Sequence, residues 1–593
     1  MNRVERRLSR YKPYLWAVGT DLETLPVDEL VGQRYRVVAP YIWLDTQPDD
    51  RPSAPDTFPA AAVPYLKAHP HRLHLPGLYG VLERTGAPPI LMLENAPIHP
   101  QSGELLPELE AALPSATPLR QASWLWQLWQ LWGSLGTMEL ARNLLVPGNL
   151  RVEGWRLRLL ELGPDEEPPT LADLTELWRS LLPPLHRAVS EPLRSLVNQL
   201  DAGTLDPDTL SIELNEILMR QAAAVSTRIA LAGATAQGPT QPRNEDACWP
   251  QGTQPEASGL QIAVVCDGVG GHDDGEVASQ LAVQSLQIQL QALLAETQNE
   301  LQALPPQVVI QQLEAVIRVV NELINFQNDN RGRAGSQRMG TTLVMAVVVP
   351  QRVQTDQGWE RVSEVYLAHV GDSRAYWITP DYCHPLTVDD DIAGREVVAC
   401  RQTWPQAQDR SDAGALTQAL GTRSGDYLTP HVRRFVFDET GILLLCSDGL
   451  SDNYRIEDAW ANYIGLIIKD IVTLDSAVAS WIELANQKNG HDNTAVVLMQ
   501  HKLFTPSSAE AEEIPAGAGA QEAVSPGGAK LYGDPPQEEF VPAATSLPPR
   551  GVPRWVLAVS GTALLIGLVG WWWLARSPDL PEPPAPPPAA PAP

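Results

Sequence analysis

Leu260–Gly271 reads LQIAVVCDGVGG, an apolar run that stops on an aspartate and a set of glycines. A short apolar run rich in Val and Ile, closed by Asp-Gly, has the form of a buried strand ending in a turn. The form recurs along the chain. VYLAHVGDSR spans Val365–Arg374 and GILLLCSDGLSD spans Gly441–Asp452, while HDNTAVVLM, His491–Met499, carries its acid ahead of the strand. Upstream, RNEDACWP sets Glu245 and Asp246 before another apolar stretch, and Leu343–Val349 and Ala375–Ile378 read as further strands. Two helical stripes separate these runs: Ala282, Leu286, Leu290 and Leu293, then Val309, Leu313, Ile317, Val320 and Ile324 after the Pro305–Pro306 break. Strands clustered apart from helices predict an α+β fold, an antiparallel β-sandwich flanked by helices.

The acids of these runs fall at strand ends, and in an antiparallel sandwich such ends share a rim. Asp267, Asp372, Asp448, Asp452 and Asp492, with Glu245 and Asp246, would then meet. Crowded carboxylates without counter-charge repel by roughly several kcal/mol, so some are protonated or a cation lies among them. Oxygen donors without a His or Cys cluster point to Mg²⁺ or Mn²⁺. One Asp-Gly alone is an ordinary turn; the ordered set is not.

The rest of the composition narrows the reading. The 593 residues allow about three domains. Apolar residues at 44% and charged residues at 19% exclude a wholly disordered or coiled-coil chain. Lys+Arg 43 against Asp+Glu 71 gives −28, which argues against a nucleic-acid backbone as the main partner. Five scattered cysteines form no CxxC pair and no CxxxxxR motif. This argues for a reducing compartment and against a thiol phosphatase. The amino terminus lacks the apolar core of a signal peptide. Trp555–Ala575 is an uncharged apolar run with Trp571–Trp573 at its far end, and it reads as a membrane-spanning helix. Arg550 and Arg554 before it, against Arg576 after it, place the bulk of the chain on the cytoplasmic side. The expected organisation is an amino-terminal domain (1–225), a catalytic domain (226–503), a Pro/Ala/Glu-rich linker (504–554), the span (555–575) and a Pro-rich tail (576–593).

Residues 231–503 resemble the metal-dependent protein phosphatase family of the 2C type. The resemblance is carried in order by RNEDA, CDGVGGHDDGEVAS, GTTLV, VGDSRAYWI, LTVDDD, LTQALG, LCSDGLSD and GHDNTAVV. It implies two packed antiparallel sheets with helices outside, and hydrolysis of phosphoserine and phosphothreonine in a protein substrate by water activated between two Mg²⁺ or Mn²⁺ ions. Asp267 would bridge the two metals and the Gly268 carbonyl would complete the second. Asp448 and Asp492 would hold the first, and Glu245 and Asp246 would order water on the metals. Asp372, Asp448 and Asp452 match the positions of a third, weaker metal in bacterial members. Three positions depart from the family. Gln241 stands where an Arg is usual, and Arg243, two residues on, would take over phosphate binding if strand alternation puts it on the face of Glu245. Val269 replaces a His general acid, for which His272 or water is the substitute. Asp390 and Asp391 replace the last residues of DHS, and the irregular stretch to Ala413 would be the flap beside the metal site.

Before residue 226, RYRVVAPYIWL (34–44), HPHRLHLPGLYGVLERTGAPPILMLENAPI (69–98) and NLLVPGNLRVEGWRLRLLELG (143–163) resemble, in order, pieces of a protein kinase. The kinase chemistry is absent. No HRD precedes Asn149, Glu161-Leu162-Gly163 stands in place of DFG, and no Gly-rich phosphate loop is legible. Lys67 reads as a surface charge, and Leu125, Leu128, Trp129 and Trp132 as a helix core stripe. The expectation is a degenerate kinase-like regulatory domain joined to a membrane-tethered phosphatase. The alternative is a phosphate-sensing scaffold without turnover.

Overall fold

The computed structural model describes residues 14–254, 261–269, 274–297 and 304–504. Residues 14–225 open with an antiparallel sheet of β1 (Tyr14–Val18), β2 (Leu30–Val31), β3 (Tyr35–Ala39), β4 (Ile42–Asp45), β5 (Gly77–Arg84) and β6 (Ala87–Glu94). The order β2-β3-β4-β1-β6-β5 puts the first strand at the centre of the sheet. A buried ion pair ties its edge: Arg34 meets Asp45 at 2.7 Å, and the Tyr79 hydroxyl donates to the same carboxylate at 2.6 Å. Helices follow at Pro118–Gly136, Leu171–Leu181, Arg187–Asp201 and Pro207–Ala223, with the hairpin β7 (Leu150–Glu153) and β8 (Arg156–Leu159) between the first two. In the first helix Leu125 and Leu128 are buried and Trp129 and Trp132 pack on the same core, as the stripe predicts. Lys67 is exposed at the end of a short helix, Val63–Lys67.

Residues 226–504 form two antiparallel sheets. The first is β10 (Ala247–Trp249), β12 (Ile262–Cys266), β15 (Leu343–Thr355), β16 (Gly358–Val370) and β19 (His431–Phe435), in that order. The second runs β11 (Gly252–Gln254), β9 (Ser226–Ala236), β21 (Thr494–Phe504), β20 (Gly441–Cys446), β17 (Arg374–Ile378) and β18 (Cys383–Pro385). A small ladder, β13 (Gly268–Val269) with β14 (Gly340–Thr341), stands beside them. Both faces of each sheet are covered, which explains the continuous apolar runs. In β20, Leu443 and Leu445 point into the space between the sheets, where they meet Val265, Val344 and Val497. The alternate Ile442, Leu444 and Cys446 face the helices Arg455–Ile468 and Leu474–Lys488. On the other side the helices Gly275–Thr297 and Pro306–Asn330 cover the first sheet, and the stripe Val309, Leu313, Ile317, Val320 and Ile324 is fully buried there.

Two differences from the sequence reading have physical causes. β15 and β16 run well past Val349 as a long hairpin, because the polar residues that seemed to end the strand are satisfied inside. Gln351 donates to Glu364 at 2.9 Å, Glu364 pairs with Arg434, and Val353 and Val362 join the core of residues 14–225. β9, rich in Ala and Gly, escapes an apolar count, yet it pairs along its whole length with β21. A side chain at Gly233 would come within 2.4 Å of the Pro250 carbonyl, so smallness is required there.

The expected span at 555–575 lies outside the described residues. Among the described residues no helix is long and apolar enough to cross a membrane, so the membrane localisation read from the sequence is corrected: residues 226–503 are assigned no location.

Leu445 has no exposed surface and sits where the two sheets meet. Leu445→Ala should lower stability by ~2–5 kcal/mol, read as a reduced midpoint in thermal unfolding. Ile288→Ala, on an exposed helix position, should change it by no more than ~0.5 kcal/mol.

Candidate active site

Strand register gathers the acids. Ala247 pairs with Cys266 in one sheet, and in the other Cys446 pairs with both Arg374 and Val496. Asp246, Asp267, Asp372, Asp448 and Asp492 each lie within four residues of one of these positions, so all are delivered to one rim. The two sheets are joined there: Ser447, which follows β20, donates through Oγ to Asp246 Oδ2 at 2.6 Å and accepts from the Ala495 amide at 2.9 Å.

The Asp267 carboxyl lies within hydrogen-bonding range of those of Asp246 and Asp448. Burial, and then the charges of Asp448 and Asp492, hold Asp246 far above the usual carboxylate range. Asp267 is raised by burial and by Asp246, Asp448 and Asp372; Asp448 by burial, Asp452 and Asp492; Asp372 by burial, Asp448 and Asp389. Asp448 Oδ1 is buried without a hydrogen-bond partner. An all-oxygen set whose members are destabilised as bare anions, with an acceptor left open, fits a hard divalent cation such as Mg²⁺ or Mn²⁺.

The glycines of the motifs serve close approach. A Cβ on Gly268 would lie 2.4 Å from Gly275 backbone and 2.7 Å from the Glu245 carbonyl, and one on Gly449 would lie 1.8 Å from the Asn493 carbonyl. The Gly268 amide donates to the Glu245 carbonyl at 3.2 Å, and Ser279 Oγ donates to the same oxygen at 2.5 Å. The Glu245 carboxylate lies against Gly275, where a side chain would meet Oε2 at 2.6 Å.

Several participants were not singled out by the sequence reading. The GTTLV motif carries two of them. Thr341 Oγ1 and the Thr342 amide both donate to the Asp267 carbonyl at 2.8 Å, and Thr342 Oγ1 accepts from the Asp267 amide at 3.0 Å. Gln241, marked in the sequence only as a departure from the usual Arg, also takes part: its Nε2 donates to Asp492 Oδ1 and to the His491 carbonyl, each at 2.9 Å. The position where the family has an Arg therefore holds an amide that orients Asp492. Arg243 is exposed in a bend ahead of β10, so strand alternation does not relate it to Glu245. His272 lies outside the described residues. Asp452 faces His491 at 3.4 Å, and that contact raises the imidazole to about 9. Asp389 pairs with Arg374 at 2.6 Å. Asp390 accepts from the Gly371 amide at 2.9 Å, beside Asp372, and meets His431 Nε2 at 3.0 Å, with His369 stacked on that ring. His369, Asp390 and His431 offer donor atoms within 4.8 Å of one another, so imidazole does stand near the rim acids, contrary to the reading from spacing alone.

The sequence profile of protein phosphatase 2C matches residues 239–478. A serine/threonine phosphatase stp of Listeria innocua is 31% identical over 245 residues, 41% of this chain and 85% of that protein. Among solved structures, a Mycobacterium tuberculosis serine/threonine phosphatase PstP/Ppp covers 46% of this chain and 98% of its own, at 25% identity and TM-score 0.34. A catalytic domain of PstP in complex with two manganese ions covers 47% and 100%, at 24% identity and TM-score 0.35. The profile match takes in Asp246, Asp267, Asp372, Asp448 and Asp452, and the chain belongs to the protein phosphatase 2C family: it is a phosphoprotein phosphatase.

Proposed function

We propose that the chain hydrolyses phosphoserine and phosphothreonine in protein substrates by direct attack of water on phosphorus. The observation that carries this is the meeting of Asp246, Asp267 and Asp448 at the joined ends of two sheets, with Asp492 and Asp372 next to them. Asp267, the Gly268 carbonyl, Asp448 and Asp492 would hold two cations, and Asp372, Asp448 and Asp452 would serve a third. Bound Mg²⁺ or Mn²⁺ supplies charge that acidifies water and neutralises the phosphoryl oxygens. Glu245 and Asp246 would order the attacking water; Ser447 fixes one oxygen of Asp246 and leaves the other toward the rim. By its place in the chain two residues before Glu245, and not by strand alternation, Arg243 is assigned to the phosphate, and His272 to the leaving oxygen. The second reading, a scaffold without turnover, has no observation in its favour, since no expected metal carboxylate is missing.

Residues 14–225 are read as a degenerate kinase-like regulatory domain. An antiparallel sheet followed by helices and the β7–β8 hairpin supports this, as does the absence of lysine from β1–β6. The Asn149 amide is fully engaged. It donates to the Asn143 and Glu161 carbonyls and accepts from the Leu160 and Glu161 amides, which leaves nothing for a nucleotide metal.

Phosphate release from a phosphothreonine peptide with Mn²⁺ tests the main reading. Asp267→Asn and Asp492→Asn should each lower turnover more than ~100-fold, beyond the ~10–100-fold typical of outer-shell partners. Asp267→Asn also removes like-charge repulsion, so its melting temperature without metal should not fall; near-normal turnover in either variant would refute the two-metal assignment. Gln241→Ala should weaken Mn²⁺ binding ~10-fold by freeing Asp492, measured by titration calorimetry. Arg243→Ala should lower kcat/KM ~10- to 100-fold, mainly through KM, with unchanged metal affinity.

A further inference from the structure

The stretch from Asp390 to Leu420 leaves the rim and returns to it. At its start, the Asp390 amide donates to the Gly371 carbonyl at 3.0 Å, and the Asp390 carboxylate takes the Gly371 amide, next to Asp372. At its end, Leu420 and Thr341 exchange backbone hydrogen bonds at 2.9 and 3.1 Å, and Thr341 Oγ1 holds the Asp267 carbonyl. Both ends are therefore fixed to backbone that carries the rim acids.

Between these ends the stretch rests on the amino-terminal half. The helix Ile392–Val398, capped by Asp391 on the Gly394 amide at 2.7 Å, lies against Val63–Lys67 and His69–His71. Ala393, Val397 and Ala407 are buried in the same apolar core as Tyr65, Leu66 and Ala68. The short helix Trp404–Gln408 lies on β5. Trp404 is the centre of this contact. Its ring packs on buried His69 at 4.7 Å, and the Arg72 guanidinium sits over it at 4.9 Å. Arg51 closes the far side on Asp409 at 2.7 Å.

We propose that Trp404, held by His69 and Arg72, is a positioning residue through which the amino-terminal half fixes the 390–420 stretch as a wall of the active site for protein substrates. The proposal rests on the phosphatase reading above. A small aryl phosphate occupies the metal rim alone and needs no wall, whereas a phosphopeptide extends beyond the rim and meets it.

The test uses the full chain with Mn²⁺ and two probes, p-nitrophenyl phosphate and a phosphothreonine peptide. Trp404→Ala should raise KM for the peptide about tenfold and leave kcat/KM for the aryl phosphate within about twofold, the scale of a lost aromatic and cation–π contact. Trp404→Phe, which keeps a ring, should restore most of the difference. Trypsin should cut faster after Arg401 and Arg410 in Trp404→Ala, since the stretch loses its support. Arg51→Glu is a surface change that leaves the fold intact; it should raise the peptide KM about threefold, and Arg51→Glu with Asp409→Arg should return it. An unchanged peptide KM in Trp404→Ala, or equal losses on both probes in Arg51→Glu, would overturn the proposal. If the unmodified chain fails to hydrolyse the aryl phosphate, the phosphatase reading falls instead, and the trypsin rates still decide whether Trp404 holds the stretch.

Discussion

Buried like charges repel, and this chain forces several of them together. Asp246 belongs to one sheet and Asp448 to the other, yet their carboxyl groups meet at Asp267. The hydrophobic contact between sheets, with Leu445, Val265 and Val344 at its centre, holds them there. Packing thus supplies the work that the acids resist. Nearby positive groups relieve it only in part: Arg374 and His491 act on Asp372 and Asp448, but Arg374 is paired with Asp389, Arg331 and Arg333 with Asp274, and His491 with Asp452. A divalent cation is the compensation that remains.

The amino-terminal half treats its charges differently. Arg34 and Asp45 are paired and bridged by Tyr79. Glu153, at the β7–β8 turn, takes Arg156 and Arg158 and faces His384 from the other half at 3.3 Å. Arg120 pairs with Asp438 and Glu439, again across the halves. The Glu439 carboxylate also accepts from Trp377 Nε1 at 2.9 Å and from Tyr382, whose ring leaves no room for a side chain at Gly154. These contacts are neutralised and directional. Removing one partner would strand the other in a desolvated place, so they specify how the halves meet more than they add net stability.

Much of this was legible in the sequence because the chemistry is local. Asp267, Asp372 and Asp448 follow apolar runs, and a strand long enough to be buried must end somewhere; ending on an acid at several strands is a pattern that only a shared rim explains. Gly268 and Gly449 were visible as turn residues, although their true constraint, backbone within van der Waals contact, needs the partner strand to be known. Gln241 and Thr341 could not be read as participants, since their partners, Asp492 and Asp267, lie far along the chain. The bend at Pro242–Arg243 defeated strand alternation because proline and the approach to β10 reset the backbone direction. The imidazoles of His369 and His431 were missed for a related reason: they face each other only through the β16–β19 register.

Asn149 and the rim acids differ in how their polar atoms are satisfied. The hydrogen-bonding capacity of the Asn149 side chain goes entirely to neighbouring backbone, and Glu161 accepts from the Trp16 indole at 2.6 Å. Such groups are already in their low-energy state, and a ligand would have to displace good partners. At the rim, by contrast, Asp448 keeps a buried oxygen without a donor, and several of the surrounding acids are held far from their ordinary ionisation. A fold bears that cost where something outside the chain is to be bound. The two halves thus do different work: paired ions such as Arg120 with Asp438 and Glu439 brace one half on the other, whereas the rim offers an oxygen without a donor that a cation would complete.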